Sequence, residues 1–141
     1  SMQMKVIETE RLILRPFSVD DADAFYQIQL DPEMSRYTGD GGVVSREEVE
    51  RRIRENILGD YAKHGYGRFA VELKSTGEFI GFSGLKYLED MDEVDLGYRF
   101  GTKFWGKGYA TESSIASLDF GVWSLVFAVI LCLEAQNHCV D

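Results

Sequence analysis

The run Asp95-Leu-Gly-Tyr-Arg-Phe-Gly-Thr-Lys-Phe-Trp-Gly-Lys-Gly-Tyr-Ala-Thr-Glu112 concentrates the residues of this chain that could do chemistry. It alternates like a strand from Val94 to Phe100, then passes through Lys103-x-x-Gly106-x-Gly108 into an amphipathic stretch. A glycine turn between a strand and a helix presents bare backbone N–H groups at the helix N-terminus. Such a turn binds phosphate, because first-turn amides lack partners within the helix and the helix dipole favours anions. Gly106 and Gly108 let a diphosphate approach the backbone with no Cβ in the way. Two spaced glycines are a common pattern. The density of this run at a strand-to-helix junction is what points to an anion site.

The flanking sequence must build the frame. Arg11 to Phe17 reads as a first strand, and Ser18-Val-Asp-Asp21 as the N-cap of a helix carrying Ala22, Phe25, Ile28 and Leu30. Asp31-Pro32 stops that helix. After a polar, glycine-rich loop at 37–42, Ser45-Arg-Glu-Glu48 opens a second helix with Val49, Ile53, Ile57 and Tyr61 at fourfold spacing. Its outer face offers the pairs Glu47–Arg51, Glu48–Arg52 and Glu50–Arg54, so its arginines belong to a solvated surface and not to a nucleic-acid patch. Arg68 to Leu73 and Glu78 to Tyr87 read as strands joined by Lys74-Ser-Thr-Gly77, and the acidic loop Leu88 to Asp92 leads to the strand Glu93 to Phe100. Thr111, Ile115, Leu118 and Val122 mark the expected buried face of a third helix. Val126 to Leu133 is almost wholly apolar and reads as a last strand, covered on both faces.

The 141 residues make one domain, 1–141, of ordinary globular composition with 45% hydrophobic residues. A net charge of −9 argues against nucleic acid or an anionic membrane as partner and suits a cationic one such as an amine. Cys132 and Cys139 show no CxxC or Cys/His spacing, and His64 and His138 are isolated, so we expect reduced thiols, a cytoplasmic setting and no metal. The N-terminus carries no secretory pattern, and the twelve-residue apolar run from Val122 to Leu133 is too short to span a bilayer.

The residues 95–112 resemble the GNAT superfamily of acyl-CoA-dependent N-acetyltransferases, and within it the branch that acetylates ribosomal-protein N-termini. Glu8-Thr-Glu-Arg-Leu-Ile-Leu-Arg-Pro16 resembles that branch's opening strand, Phe79-Ile-Gly-Phe-Ser-Gly-Leu85 its third strand, and Glu134-Ala-Gln-Asn137 the end of its fifth. The resemblance implies an α+β fold in three layers: a mixed, mostly antiparallel sheet flanked by helices, in the order β-α-α-β-β-β-α-β. Relative to the family, the chain lacks the final helix and two strands. Lys103 stands where the family loop carries Arg or Gln, and Val140 where a serine is common.

The resemblance further implies acetyl-CoA as co-substrate, its diphosphate on the turn Lys103 to Gly108 with Gly106, Lys107 and Gly108. Trp105, Tyr109 and Ala110 would complete the cofactor site, Trp105 and Tyr109 as packing anchors around the loop. Pantetheine would lie along Arg99, Phe100 and Gly101, with Asn137 as a contact, and a backbone N–H near Tyr98–Phe100 would stabilise the oxyanion. The amine acceptor, a protein N-terminus or a small molecule, needs a carboxylate to take its proton. Strand alternation sets Glu93, Asp95, Gly97 and Arg99 on one face, and Asp95, at the branch's usual Glu position, is the first candidate for the base, Glu93 the second. Asp95 as a purely structural acceptor, or as a partner of Arg99, is the competing reading. At the level of the whole chain, an acetyltransferase competes with a catalytically incomplete CoA-binding regulatory or vestigial module. A Rossmann-type nucleotide domain fails for want of a βαβ unit. An open last strand would further favour a homodimer. Loops 37–43 and 60–67 would shape the acceptor pocket.

Overall fold

The computed structural model describes residues 4–34 and 44–139. Five strands form one sheet, β1 (Ile7–Glu8), β2 (Leu12–Pro16), β3 (Phe69–Leu73), β4 (Phe79–Leu88) and β5 (Glu93–Phe100), in that spatial order and all antiparallel. Alternation in β2 sends Leu12 and Leu14 into a core with Phe69, Val71, Ile80 and Phe100 on one face of the sheet. The opposite face packs Ala70, Phe79 and Phe82 against Phe17, Phe25, Val49 and Ile53. The helices thus form two outer layers, and the α+β expectation holds.

Helix α1 (Ala22–Gln29) follows a 3-10 turn, Val19–Asp21. Ser18 Oγ accepts from Asp20 N at 3.1 Å while Asp21 Oδ2 accepts from Ser18 N at 2.8 Å, a reciprocal cap of the kind the sequence spells. The second helical stretch runs as α2 (Arg46–Arg51), a π-helical segment Arg52–Ile57, and α3 (Leu58–His64). Fourfold apolar spacing drifts by about 40° per step on an α-helix of 3.6 residues per turn. The wider π turn offsets that drift, and Val49, Ile53, Ile57 and Tyr61 all reach the sheet side. Two of the three anticipated surface pairs form, Arg52–Glu48 at 3.1 Å and Arg54–Glu50 at 2.8 Å. Arg51 pairs with Glu48 and Glu55 instead of Glu47, because both oxygens of Glu48 lie within reach of its fork.

The largest difference from the sequence reading lies beyond the glycine turn. Helix α4 (Tyr109–Cys139) runs for 31 residues, so Val126 to Leu133 continues a helix and is no strand. The order among the described residues is therefore β-β-α-α-β-β-β-α. A helix satisfies each backbone group within itself, whereas a strand there would need a pairing neighbour. Nor is the run buried: Leu125, Val126, Val129, Ile130, Leu131 and Leu133 are exposed. The stretch Tyr109–Ala135 is, by length and composition, long and apolar enough to cross a membrane, so the expectation that the apolar run is too short to span a bilayer does not hold for the helix that contains it. The buried face of α4 also differs from expectation. Ser113, Ala116 and Ser117 pack inward with Phe120 behind them, while Ile115, Leu118 and Val122 stay exposed. The serines reach that interface because their hydroxyls bond back to the helix, Ser117 Oγ to Ser113 O at 2.9 Å and Ser113 Oγ to Ala110 O at 3.2 Å. Small side chains let the helix lie close to the sheet.

Candidate active site

The chain leaves β5 through a 3-10 turn, Thr102–Phe104, that hydrogen bonds hold in place. Gly101 N donates to Ile80 O at 3.0 Å, Trp105 N to Thr102 O at 3.1 Å, and the Trp105 indole Nε1 to Phe100 O at 2.8 Å. Thr102 Oγ1 donates to Asp31, which ties the turn to the end of α1. Gly106 and Gly108 then take φ of 76° and 84°, the left-handed region that glycine adopts without a Cβ penalty. A Cβ added at Gly106 would meet nothing within 4 Å, so the turn opens outward. Glu112 N closes the first helical bond, to Gly108 O at 3.0 Å, which leaves the amides of Tyr109, Ala110 and Thr111 without acceptors inside the helix. This is the cradle that a diphosphate needs, and the residues present fit it.

Several expected contacts are placed differently. Lys103 Nζ donates to Glu78 Oε1 at 2.8 Å and lies 4.9 Å from the Phe104 ring, so its charge is engaged at the side of the turn. Tyr109 stacks beneath the Arg11 guanidinium at 4.5 Å, and the Lys107 carbonyl accepts from Arg11 Nη1. Asn137 does not follow a strand. It sits 28 residues along α4 from Tyr109, about 42 Å at 1.5 Å per residue, and is not brought to the glycine turn. Val140 and the loop 37–43 lie outside the described residues.

Strand β5 is the edge of the sheet, paired with β4 on one side only among the described residues. Its other side has no strand neighbour among these residues, as an extended pantetheine arm requires, although Phe100 O there accepts from the Trp105 indole. Phe100 is buried and stacks on Tyr98 with ring centroids 6.1 Å apart. Asp95, Gly97 and Arg99 share the α1–α3 face. There Arg99 Nη1 donates to Gln29 Oε1 at 3.1 Å and Lys86 Nζ to Asp60 Oδ2 at 2.6 Å. Between them Arg68 Nη2 donates to Asp95 Oδ2 at 3.0 Å. Arg68, and not Arg99, is the partner of Asp95. Glu93 lies exposed at the start of β5, opposite Leu88.

Arg68 is the residue that sequence reasoning missed. Its Nη1 also donates to Gly84 O, its side chain is 14% exposed, and its guanidinium fills the space above Gly97. A Cβ on Gly97 would lie 2.6 Å from Arg68 Nη1 and 2.8 Å from Nη2. The glycine of the Gly-Tyr pair is therefore the slot for an arginine two strands away. Alternation along β3 puts Arg68 and Ala70 on one face, but only the register across β4 brings Arg68 to Asp95. Tyr61 steadies the base of this arginine, its hydroxyl donating to Arg68 O and accepting from Phe17 N at 3.0 Å. Burial pushes the Tyr61 phenol well above its ordinary pKa, which keeps it a donor.

A cavity of about 1020 Å³ lies between the end of α3 and α4, lined by Tyr61, His64, Tyr66, Leu85, Leu118 and Val122 among others. The end of α3 and the residues after it, Tyr61 to Gly67, line one side, so most of the segment expected as a 60–67 loop is the last turn of a helix. Val94 and Leu85, which face it, stand on the opposite side of the sheet from Asp95, so neither the carboxylate nor the glycine turn lines this cavity. Among the described residues no cluster of His, Cys, Asp or Glu could hold a metal ion.

The sequence profile of the acetyltransferase (GNAT) domain matches residues 11–138. The chain belongs to the GNAT acetyltransferase family. It is similar to the uncharacterized N-acetyltransferase p20 of Bacillus licheniformis, 32% identical over 124 residues that cover 86% of this chain and 68% of that protein. The crystal structure of a GNAT-family acetyltransferase from Bacillus anthracis superposes with a TM-score of 0.70 at 25% identity, over 86% of this chain and 68% of that one. The ribosomal L7/L12 alpha-N-protein acetyltransferase RimL, solved in complex with coenzyme A, shares the fold at a TM-score of 0.59 and 20% identity, over 82% of this chain and 67% of that one.

Proposed function

We propose that this GNAT domain transfers an acetyl group from acetyl-CoA to a primary amine, on a protein N-terminus or a small molecule. The observation that carries the reading is the outward-opening turn at Gly106 and Gly108, set between an unpaired sheet edge and a helix N-terminus. The coenzyme A complex of RimL supports the choice of donor. Acetyl-CoA, when bound, supplies an acyl group activated as a thioester. The amides of Gly106 to Ala110 hold its diphosphate, and the free edge of β5 near Arg99, Phe100 and Gly101 takes the pantetheine arm. A backbone N–H of Tyr98–Phe100 meets the developing oxyanion. Asp95 accepts the ammonium proton, directly or through water, with Glu93 the second candidate.

A second reading, a CoA-binding module without turnover, is favoured by one observation: Asp95 is already half of an ion pair with Arg68. The two are separated by titrating CoA calorimetrically into the 141-residue chain and into Gly108→Val, then following thiol release from acetyl-CoA over a panel of amines. Tight binding lost in Gly108→Val, together with amine-dependent thiol release, supports the enzyme. Binding without release at any amine supports the module. Equal binding by both proteins sinks the placement of the diphosphate.

Two cysteines without a disulfide framework support a cytoplasmic setting. The exposed Val94, Leu96 and Tyr98 of β5, beside the exposed apolar residues of α4, support a homodimer that covers them. A monodisperse monomer by light scattering at micromolar concentration would exclude it.

A further inference from the structure

Arg11, just ahead of β2, stands outside every role assigned so far. Its Nε donates to Glu112 Oε1 at 2.7 Å and its Nη1 to Lys107 O at 2.9 Å. Its own backbone amide donates to Glu112 Oε2 at 2.9 Å, and Thr9 Oγ1 donates to the same oxygen at 2.6 Å. The guanidinium lies 4.5 Å over the Tyr109 ring, and its Nη2 is 3.3 Å from where a Cβ on Gly108 would stand. One side chain therefore grips the residues before and after Gly108 and the first turn of α4.

Two physical needs of an anion-binding glycine turn explain why such a grip matters. Glycines lose more backbone freedom on ordering than other residues, so a turn built on two of them stays open only if its flanks are anchored. A carboxylate in the first helical turn lies close to any anion held by the same turn, and unpaired it would repel that anion. Burial alone would push the Glu112 carboxyl up. Hydrogen bonds from Thr9, from the Arg11 amide and from the Arg11 guanidinium instead hold it below the usual carboxylate range.

We infer that Arg11 is a positioning residue for the cofactor: it holds the 106–108 turn in its anion-accepting shape and masks Glu112 from the incoming diphosphate. The inference rests on the reading that this turn takes the diphosphate of CoA. The test compares CoA with pantetheine, which lacks the diphosphate and nucleotide, by calorimetry on the parent chain and on Arg11→Met. Arg11→Met should lose about tenfold or more in CoA affinity, the scale of a charge-assisted fork, while pantetheine affinity stays within about twofold. A general loss of structure would weaken both ligands alike. A parent that binds CoA no more tightly than pantetheine overturns the turn's assignment itself. A parent that prefers CoA, with Arg11→Met keeping that full preference, overturns the role of Arg11 alone. Should Arg11→Met fail to fold by circular dichroism, Arg11→Lys decides: one ammonium cannot span Glu112 and Lys107 O, so CoA preference should still fall. Parent-like preference in Arg11→Lys would reduce the role to charge and overturn the grip.

Discussion

Arg68 Nη2 and Asp95 Oδ2 lie 3.0 Å apart across the sheet, joining the first residue before β3 to the carboxylate in the middle of β5. The pair leaves Asp95 about half exposed, so one carboxylate oxygen is anchored while the group stays reachable from solvent. An anchored carboxylate is fixed in direction, which suits a group that must meet an ammonium.

Asp95→Asn should lower amine-dependent turnover by about 10² or more while CoA affinity stays near that of the parent. Turnover of the variant should climb with pH as the amine loses its proton unaided. A variant as fast as the parent at neutral pH moves the role to Glu93 or to no side chain.

Gly97→Ala should push Arg68 off Asp95, since the new methyl would stand within 3 Å of three guanidinium atoms. We expect destabilisation of about 1–3 kcal/mol from overpacking. In Arg68→Ala the space is already empty, so adding Gly97→Ala to it should cost far less. A double-mutant cycle in urea that finds the two changes additive would show that they do not share the slot.

Gly81 takes φ of 151°, and a Cβ there would stand 2.1 Å from Arg99 O and 2.8 Å from Phe100 Cα. Both are backbone atoms of the strand that carries the site, so nothing flexible can yield. Gly81→Ala should cost about 2 kcal/mol or more and loosen β5 from β4. An unchanged melting curve would mean that the two strands are not held at this spacing.

Ser83→Ala should stabilise the fold. The Ser83 hydroxyl is fully buried and has no hydrogen-bond partner among the described residues. Removing an unsatisfied hydroxyl without opening a sizeable cavity gains about 1 kcal/mol, read as a rise in melting temperature. A lower melting temperature would reveal a partner for this oxygen.

Glu112 makes acid stability depend on the turn. Its folded pKa lies below its ordinary value of 4.5, so its contribution is full above that value and fades as pH falls through the folded one. Glu112→Gln should therefore be less stable than the parent at about pH 7, with the gap narrowing as pH falls from 4.5 through the folded value. A gap that persists in acid would mean that the carboxylate's charge contributes nothing to holding the turn.

Much of this is legible in the chain itself, for reasons that are local. Alternation in Leu12–Pro16 and Glu93–Phe100, the caps at Ser18 and Ser45, and the spacing of Gly106 and Gly108 each bind only near neighbours, so residue order suffices to read them. The strand-turn-helix cradle follows, and with it the family. What pairs across distance is not written locally. Asp95 could meet Arg99, two residues away on the same face, yet the β3–β4–β5 register delivers Arg68. The inward face of α4 was set by how closely Ser113 and Ser117 let the helix approach the sheet, and period alone favours the bulkier Ile115 and Leu118. Val126 to Leu133 is apolar without a period, so its sequence is compatible with strand and helix alike. The choice fell to where its backbone groups find partners, and in this fold they find them along the helix.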